Sequence, residues 1–327
     1  MEVGVSVWLD RPARDCAAIA VGAEAAGFST LWVPDHYFLR DSFVALALAA
    51  ESTNRIRLGT AVASPLLRHP VLLASSFATL QELSGGRAVA GIGTGGAEFS
   101  SQLGMPIDHP LAVVRESTEI LKALFVGQAE ISGRVFTAAG ARLGWIEGPM
   151  PVHLAARGPR MLELSGEIAD GVITHGLALR HLDFAAARVK EGAARIGRSD
   201  DGCELCVMFD YEFDEDREAA INRLRDRCMF MVGGSYADEL IPLYGLDPDQ
   251  VQPIRTAVSA GRYQEAIEAI TPDMVEAFAV GGPVYRLTEQ LDVLSAHGIT
   301  SVILSLGGRS VDEVLTRVER VGRAIYR

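Results

Sequence analysis

The sequence predicts one α/β domain, a (β/α)8 TIM barrel with insertions. Three observations predict it. Short β-branched runs alternate with longer amphipathic stretches along the whole chain, the pattern of βα units on a parallel sheet. Most of these runs are near-continuously apolar, as expected for parallel strands covered on both faces. Eight such runs are present, and eight strands with helices between them favour a closed barrel over an open doubly wound sheet.

The expected strands are Val3–Trp8, Thr30–Val33, Ile56–Val62, Ala88–Ile92, Val152–Ala155, Gly171–Thr174, Leu205–Phe209 and Ser301–Leu306. The helices between them carry clear faces. Val311, Val314, Leu315, Val318, Val321 and Ile325 recur at three- and four-residue spacing, as do Val114, Thr118, Leu121 and Phe125. Gly158-Pro159 opens another helix, since proline fits a first turn where its missing N–H costs nothing. Two regions exceed simple connections. Residues 126–150 hold short runs broken by Gly133, Gly140, Gly144 and Pro149, which reads as a hairpin insertion. Residues 210–280 are long, charged and helical, with turns at Gly233-Gly234, Pro248 and Pro272, and are expected to lie near the active-site face. No linker, repeat or boundary divides residues 1–327, so a single domain is expected.

The composition of the 327 residues, 49% hydrophobic and 22% charged, is that of a globular protein with a sizeable core. A net charge of -12 repels phosphate backbones and anionic membranes, which argues against a nucleic-acid partner. The N-terminus lacks a basic leader and its apolar stretch ends at Asp10, and no apolar run reaches the roughly 18 residues of a span. A soluble cytoplasmic protein is expected. Cys203 and Cys206 form a CxxC, but no second pair or spaced histidines complete a metal site, and a strand turns residues three apart to opposite faces. These thiols are read as small hydrophobes.

In a barrel, reactive residues sit just past the strand C-termini. The second strand is followed by Pro34-Asp35-His36-Tyr37-Phe38. A histidine there can exchange protons near neutral pH with a carboxylate tuning it, or it can be a hydrogen-bonded loop residue. The third ends in small residues, Gly59 to Ser64, followed by Arg68-His69-Pro70. The fourth ends Gly91-Ile92-Gly93-Thr94-Gly95-Gly96, which can present N–H groups to a ligand or make a tight turn. It does not open a helix with an acidic strand end about 20 residues on, so a nicotinamide-type Rossmann site is rejected. The fifth ends Ala155-Ala156-Arg157-Gly158-Pro159. Free N–H groups at a helix start beside an arginine make a phosphate site, a reading weighed against a plain strand-to-helix turn. Thr174, at the sixth tip, adds a hydroxyl. There is no GxSxG or HExxH motif.

The segments LWVPDHYF (31–38), LGTAVASPLLRHP (58–70), GRAVAGIGTG (86–95), AARGPRMLELSGEIADGVI (155–173) and FAVGG (278–282) together resemble the bacterial luciferase-like superfamily. Within it they are most similar to the coenzyme F-420-dependent methylenetetrahydromethanopterin reductases and their relatives. The resemblance implies a cofactor ring over the strand tips, propped by a bulge with a non-proline cis peptide at Ala61–Val62. It implies that Asp35 and His36 lie at the ring and substrate, and that Thr94 and Gly95 contact the ring. Ala155, Ala156, Arg157 and Gly158 would hold the cofactor phosphate with help from Thr174. Several relatives carry an acidic residue directly after the glycine run. This chain has Gly96 there, and Glu98 is the acidic candidate two positions on. The implied function is hydride transfer between coenzyme F-420, a deazaflavin, and a small organic substrate. FMN also carries a phosphate on a ribityl chain, so an FMN-dependent monooxygenase stands as the alternative, with a non-catalytic flavin- or deazaflavin-binding protein as a third. The resemblance further implies a homodimer.

Overall fold

The computed structural model describes the chain except residues 147, 200–201, 235–237 and 327 and the side chains of residues 97–99. Eight parallel strands close into a barrel: β1 (Glu2–Ser6), β2 (Thr30–Val33), β3 (Arg57–Thr60), β4 (Ala88–Ile92), β7 (Val152–Ala155), β8 (Gly171–His175), β9 (Glu204–Phe213) and β11 (Ser301–Leu306). β1 pairs with both β2 and β11, and β8 closes the ring onto β9. All eight runs read as strands from the sequence are these strands, four of them to the residue.

The inside of the barrel explains its glycines. Trp32, on β2, packs with Val89, Ile173, Cys206, Met208 and Ile303 in the lumen. A Cβ at Gly59 on the next strand would lie 2.8 Å from the indole, so only glycine lets the two strands pair around so large a side chain. Cys206 points into this cluster, while Cys203 packs in the outer core between strands and helices. The two thiols of the CxxC therefore lie on opposite sides of the sheet. Burial pushes both up to about 12, so they stay protonated.

The other four strands, β1, β3, β8 and β9, differ from the sequence reading at one or both ends, and the C-terminal ends of β3 and β9 do so for physical reasons. β3 stops at Thr60, and the Ala61–Val62 peptide that follows is cis. The ladder that pairs Gly59 with Val89 resumes at Ala63 with Ile92, one residue out of step, so residues 61–62 form a bulge toward the lumen. Thr60 Oγ1 donates to Gly91 O (2.6 Å) and holds its base. β9 runs on to Phe213 because β10 (Ala279–Gly282), which the sequence reading left outside the strands, pairs with its far half.

Helices α1 (Ala13–Ala26), α2 (Ser42–Ser52), α3 (Pro70–Leu83), α5 (Pro110–Phe125), α6 (Pro159–Ile168), α7 (Leu179–Arg195), α12 (Val284–Ala296) and α13 (Val311–Ile325) cover the outside; the short α4 (Ala97–Gln102) follows β4. Between α5 and β7, β5 (Gln128–Ser132) and β6 (Thr137–Arg142) form an antiparallel hairpin. Its turn is anchored on Glu116, whose carboxylate accepts the N–H groups of Arg134, Val135 and Phe136, all at 2.8 Å. Burial alone would raise that carboxyl, but the three N–H bonds outweigh it and hold the pKa below the usual range.

Between β9 and β10 lie α8 (Arg217–Gly233), two 3-10 turns, α9 (Pro248–Ser259), α10 (Tyr263–Ala269) and α11 (Pro272–Glu276). They share a second core built around Leu224, Val232, Tyr244, Ile254 and Phe278. This unit touches the strand tips: Tyr244 OH donates to His175 O (3.3 Å), and Leu177 N donates to Ala277 O (2.8 Å). Among the described residues no helix is long and apolar enough to cross a membrane.

Candidate functional site

A cavity of about 550 Å³ opens at the C-terminal ends of the strands. That is ample for a tricyclic ring system. Its lining draws Asp35 and His36 from the β2 tip, Ala61 and Val62 from the bulge, Thr94 and Gly95 from the β4 tip, and Ala155, Ala156, Arg157 and Gly158 from the turn between β7 and α6. Residues spread over most of the sequence thus meet in one place because every βα turn of a barrel lies on the same face.

The bulge puts Ala61 and Val62 against the lumen cluster, making an apolar floor. The wall beside it must be thin. A Cβ at Gly93 would come within 3.0 Å of Val62 and 3.1 Å of Ala155. Opposite, α6 starts at Gly158 with no side-chain cap, leaving the N–H groups of its first turn turned outward beside Arg157. Nothing lies within 4 Å of where a Gly158 Cβ would stand. Thr174 is fully buried and does not line the cavity. Its Oγ1 has no hydrogen-bond partner among the described residues. An uncapped helix start and a guanidinium are donors suited to a phosphate monoester, whereas the Thr174 hydroxyl expected to help them is turned away from the cavity, because alternation puts Ile173 and His175 on the cavity side of β8.

At the β2 tip, His36 stacks on Phe38 (5.0 Å between centroids, 9° between planes) and faces Trp8 (6.1 Å, 23°). Burial lowers its pKa from the usual 6.5, and the Asp35 charge only partly offsets this. Its imidazole is therefore mainly neutral at pH 7. The Asp35 carboxylate is already engaged, accepting from Ser42 Oγ (2.8 Å) and pairing with Arg68 Nε (3.3 Å). The backbone of Glu98 lies in α4, but its side chain falls outside what the structure describes.

His175 stands at the sixth strand tip in the sequence, where the reading gives a role only to Thr174 beside it. It ends β8 with its side chain toward the cavity, two residues on from the inward-facing Ile173. Burial and the neighbouring Arg157 hold its imidazole neutral, with a pKa of about 3. Strict alternation from Ile173 was the signal that could have found it. Met208 on β9, and Met231 and Leu240 from the helical unit, complete the apolar walls. Arg157 Nη1 reaches Met231 O at 3.4 Å, which ties that unit to the start of α6.

With this geometry in place, comparison with known proteins decides the family. The model of the luciferase-like monooxygenase family matches residues 1–301. The chain belongs to the luciferase-like monooxygenase family. Among family members of related sequence, the 5,10-methylenetetrahydromethanopterin reductase of Archaeoglobus fulgidus is 33% identical over 286 residues, 86% of each chain. The F-420-dependent glucose-6-phosphate dehydrogenase of Nocardia farcinica is 32% identical over 65% of this chain and 68% of its own. The solved structure of the coenzyme F-420-dependent tetrahydromethanopterin reductase of Methanopyrus kandleri superposes with a TM-score of 0.86 at 28% identity, covering 99% of this chain and 98% of that one.

Proposed function

We propose that this luciferase-like protein is a coenzyme F-420-dependent oxidoreductase, moving a hydride between the deazaflavin and a small organic substrate at the barrel mouth. One observation carries the reading: a phosphate-ready helix start opens onto a ring-sized cavity with a bulged apolar floor. The relatives named above as reductases and dehydrogenases of this coenzyme support it.

Each residue then has a physical task. The N–H groups at the start of α6, with Arg157, anchor the phosphate. Ala155, Ala156 and Gly158 keep side chains out of its way. Ala61 and Val62 support one face of the ring, and Thr94 and Gly95 border its edge. The bound coenzyme supplies the hydride chemistry, and the barrel supplies orientation and exclusion of water. His36 takes or returns the accompanying proton at its imidazole, in the neutral form that burial favours. Glu98 is the second proton-handling candidate.

The rim narrows the substrate. Trp8, Tyr37 and Phe38 are exposed beside the cavity, and among its described lining residues Arg157 is the one cation. With Arg157 committed to the cofactor phosphate, a second phosphate finds no partner, whereas a flat uncharged ring finds aromatic faces. A reduced pterin of the kind named in the Archaeoglobus relative is the first substrate to test. Purified protein is mixed with reduced coenzyme F-420 and methylenetetrahydromethanopterin, and separately with oxidised coenzyme F-420 and a secondary alcohol or glucose 6-phosphate, and the coenzyme absorbance is followed. Turnover with the pterin and none with the sugar phosphate is expected. Turnover with glucose 6-phosphate alone overturns the substrate reading, and oxygen consumption with reduced FMN but no F-420 chemistry overturns the cofactor reading.

A further inference from the structure

We propose that Arg68, in the loop between β3 and α3, is a positioning residue that clamps the β2 tip and so holds His36 in the cavity wall. Its importance for turnover rests on the reading of His36 given above; the clamp itself rests on geometry alone.

Three chain segments meet at this guanidinium. Nε pairs with Asp35 at the β2 tip (3.3 Å), and Nη2 pairs with Asp41 (2.6 Å), the N-cap of α2. The group also lies over the Phe43 ring, 5.2 Å from its centroid. All the carboxylate oxygens involved are used. Asp35 Oδ1 accepts from Ser42 Oγ, and Asp41 Oδ1 accepts from the N–H groups of Phe43 and Val44. Asp35 is only 8% exposed, and a carboxylate so placed is stable in its charged form only with a fixed partner. A planar guanidinium can serve two carboxylates from one position, which a lysine ammonium cannot do with the same geometry.

The consequence reaches His36 through the chain. It follows Asp35 directly, so a fixed Asp35 side chain fixes the backbone from which the imidazole enters its stack with Trp8 and Phe38. The clamp also sets the field there. The charged groups of this tip and of the β1 loop packed on it are Asp35, Arg40, Asp41, Arg68, Asp10 and Arg11, of which Asp35 is the charge that acts on His36, while the rings against His36 are neutral. Arg68 offsets the Asp35 charge. Without it, Asp35 would favour the imidazolium more strongly and the His36 pKa would rise.

The test uses R68M, R68K and D35N in the full-length protein, with His36 titrated by NMR and coenzyme F-420 binding followed by fluorescence. R68M is expected to raise the His36 pKa and to lower kcat/KM by roughly tenfold to a hundredfold, the scale of a slightly misplaced catalytic group. F-420 affinity should change little, because the phosphate anchor lies across the barrel at α6. R68K should recover only part of the loss, and D35N should move the His36 pKa down. An unchanged His36 titration in folded R68M, or full recovery by lysine, overturns the clamp. A shifted titration with unchanged turnover leaves the clamp standing and removes His36 from the chemistry. Should R68M fail to fold, R68K and D35N carry the same comparison.

Discussion

Replacing Thr174 should change stability and leave cofactor binding alone. Its hydroxyl is buried on β8 with no partner among the described residues. A buried hydroxyl left unpaired costs about 1–3 kcal/mol. Thr174→Val keeps the shape and removes the polar atom, so the ligand-free protein should gain about 1 kcal/mol. The same hydroxyl lies outside the cavity, on the side of β8 turned away from Ile173 and His175, so it offers no bond to a phosphate bound there. Its loss should leave binding of coenzyme F-420 and FMN unchanged. Binding of riboflavin, which lacks the phosphate, should be unaffected. Urea unfolding of the free protein and fluorescence titration with coenzyme F-420, FMN and riboflavin read both halves. A destabilised T174V, or one that binds coenzyme F-420 or FMN at least about tenfold more weakly than the wild type, would refute the reasoning.

Three further outcomes follow from the same structure. The pKa of His36 is lowered from 6.5 and the neutral form is the active one, so kcat should rise with pH through a value below 6.5 and then level off. His36→Ala should abolish that limb and cost roughly a hundredfold or more in kcat; full turnover with bound cofactor would remove the assignment. Glu116, with a depressed folded-state pKa, contributes stability that is present above its unfolded value of about 4.5 and lost as pH falls through the folded one. Glu116→Gln should lower neutral-pH stability by about 2 kcal/mol and flatten this acid dependence in urea melts, whereas parallel curves would show that the hairpin does not depend on the charge. Finally, α2 and α3 expose Val44 (57%) and Leu72 (66%) on their outer faces while burying apolar residues inward, the pattern of helices covered on both sides. A homodimer through this face is expected, with V44E/L72E sedimenting as a monomer; a monomeric wild type would rule it out.

The sequence made the barrel legible because parallel strands buried on both faces leave short, unbroken apolar runs that helices punctuate. It placed Thr30–Val33 and Ala88–Ile92 to the residue for that reason. It failed where pairing, not composition, sets the strand. β10 is only Ala279–Gly282, half of it glycine, and exists because β9 extends far enough to receive it. The tips of β2, β3, β4 and β7 were readable as site candidates because glycine, proline and charged residues interrupt the apolar runs there. His175 was hidden behind Thr174, since the hydroxyl drew attention and alternation was not carried one residue further. The ion pair of Arg68 with Asp35 joins residues 33 apart and has no local signal at all.

The start of α6 and the bulge at Ala61–Val62 are expected to seat coenzyme F-420. Equilibrium titration of the apoprotein with coenzyme F-420 and with FMN, each followed by fluorescence, tests it most directly. Micromolar or tighter binding of F-420, well ahead of FMN, is the expected result. A clear preference for FMN, or binding of neither, would contradict it.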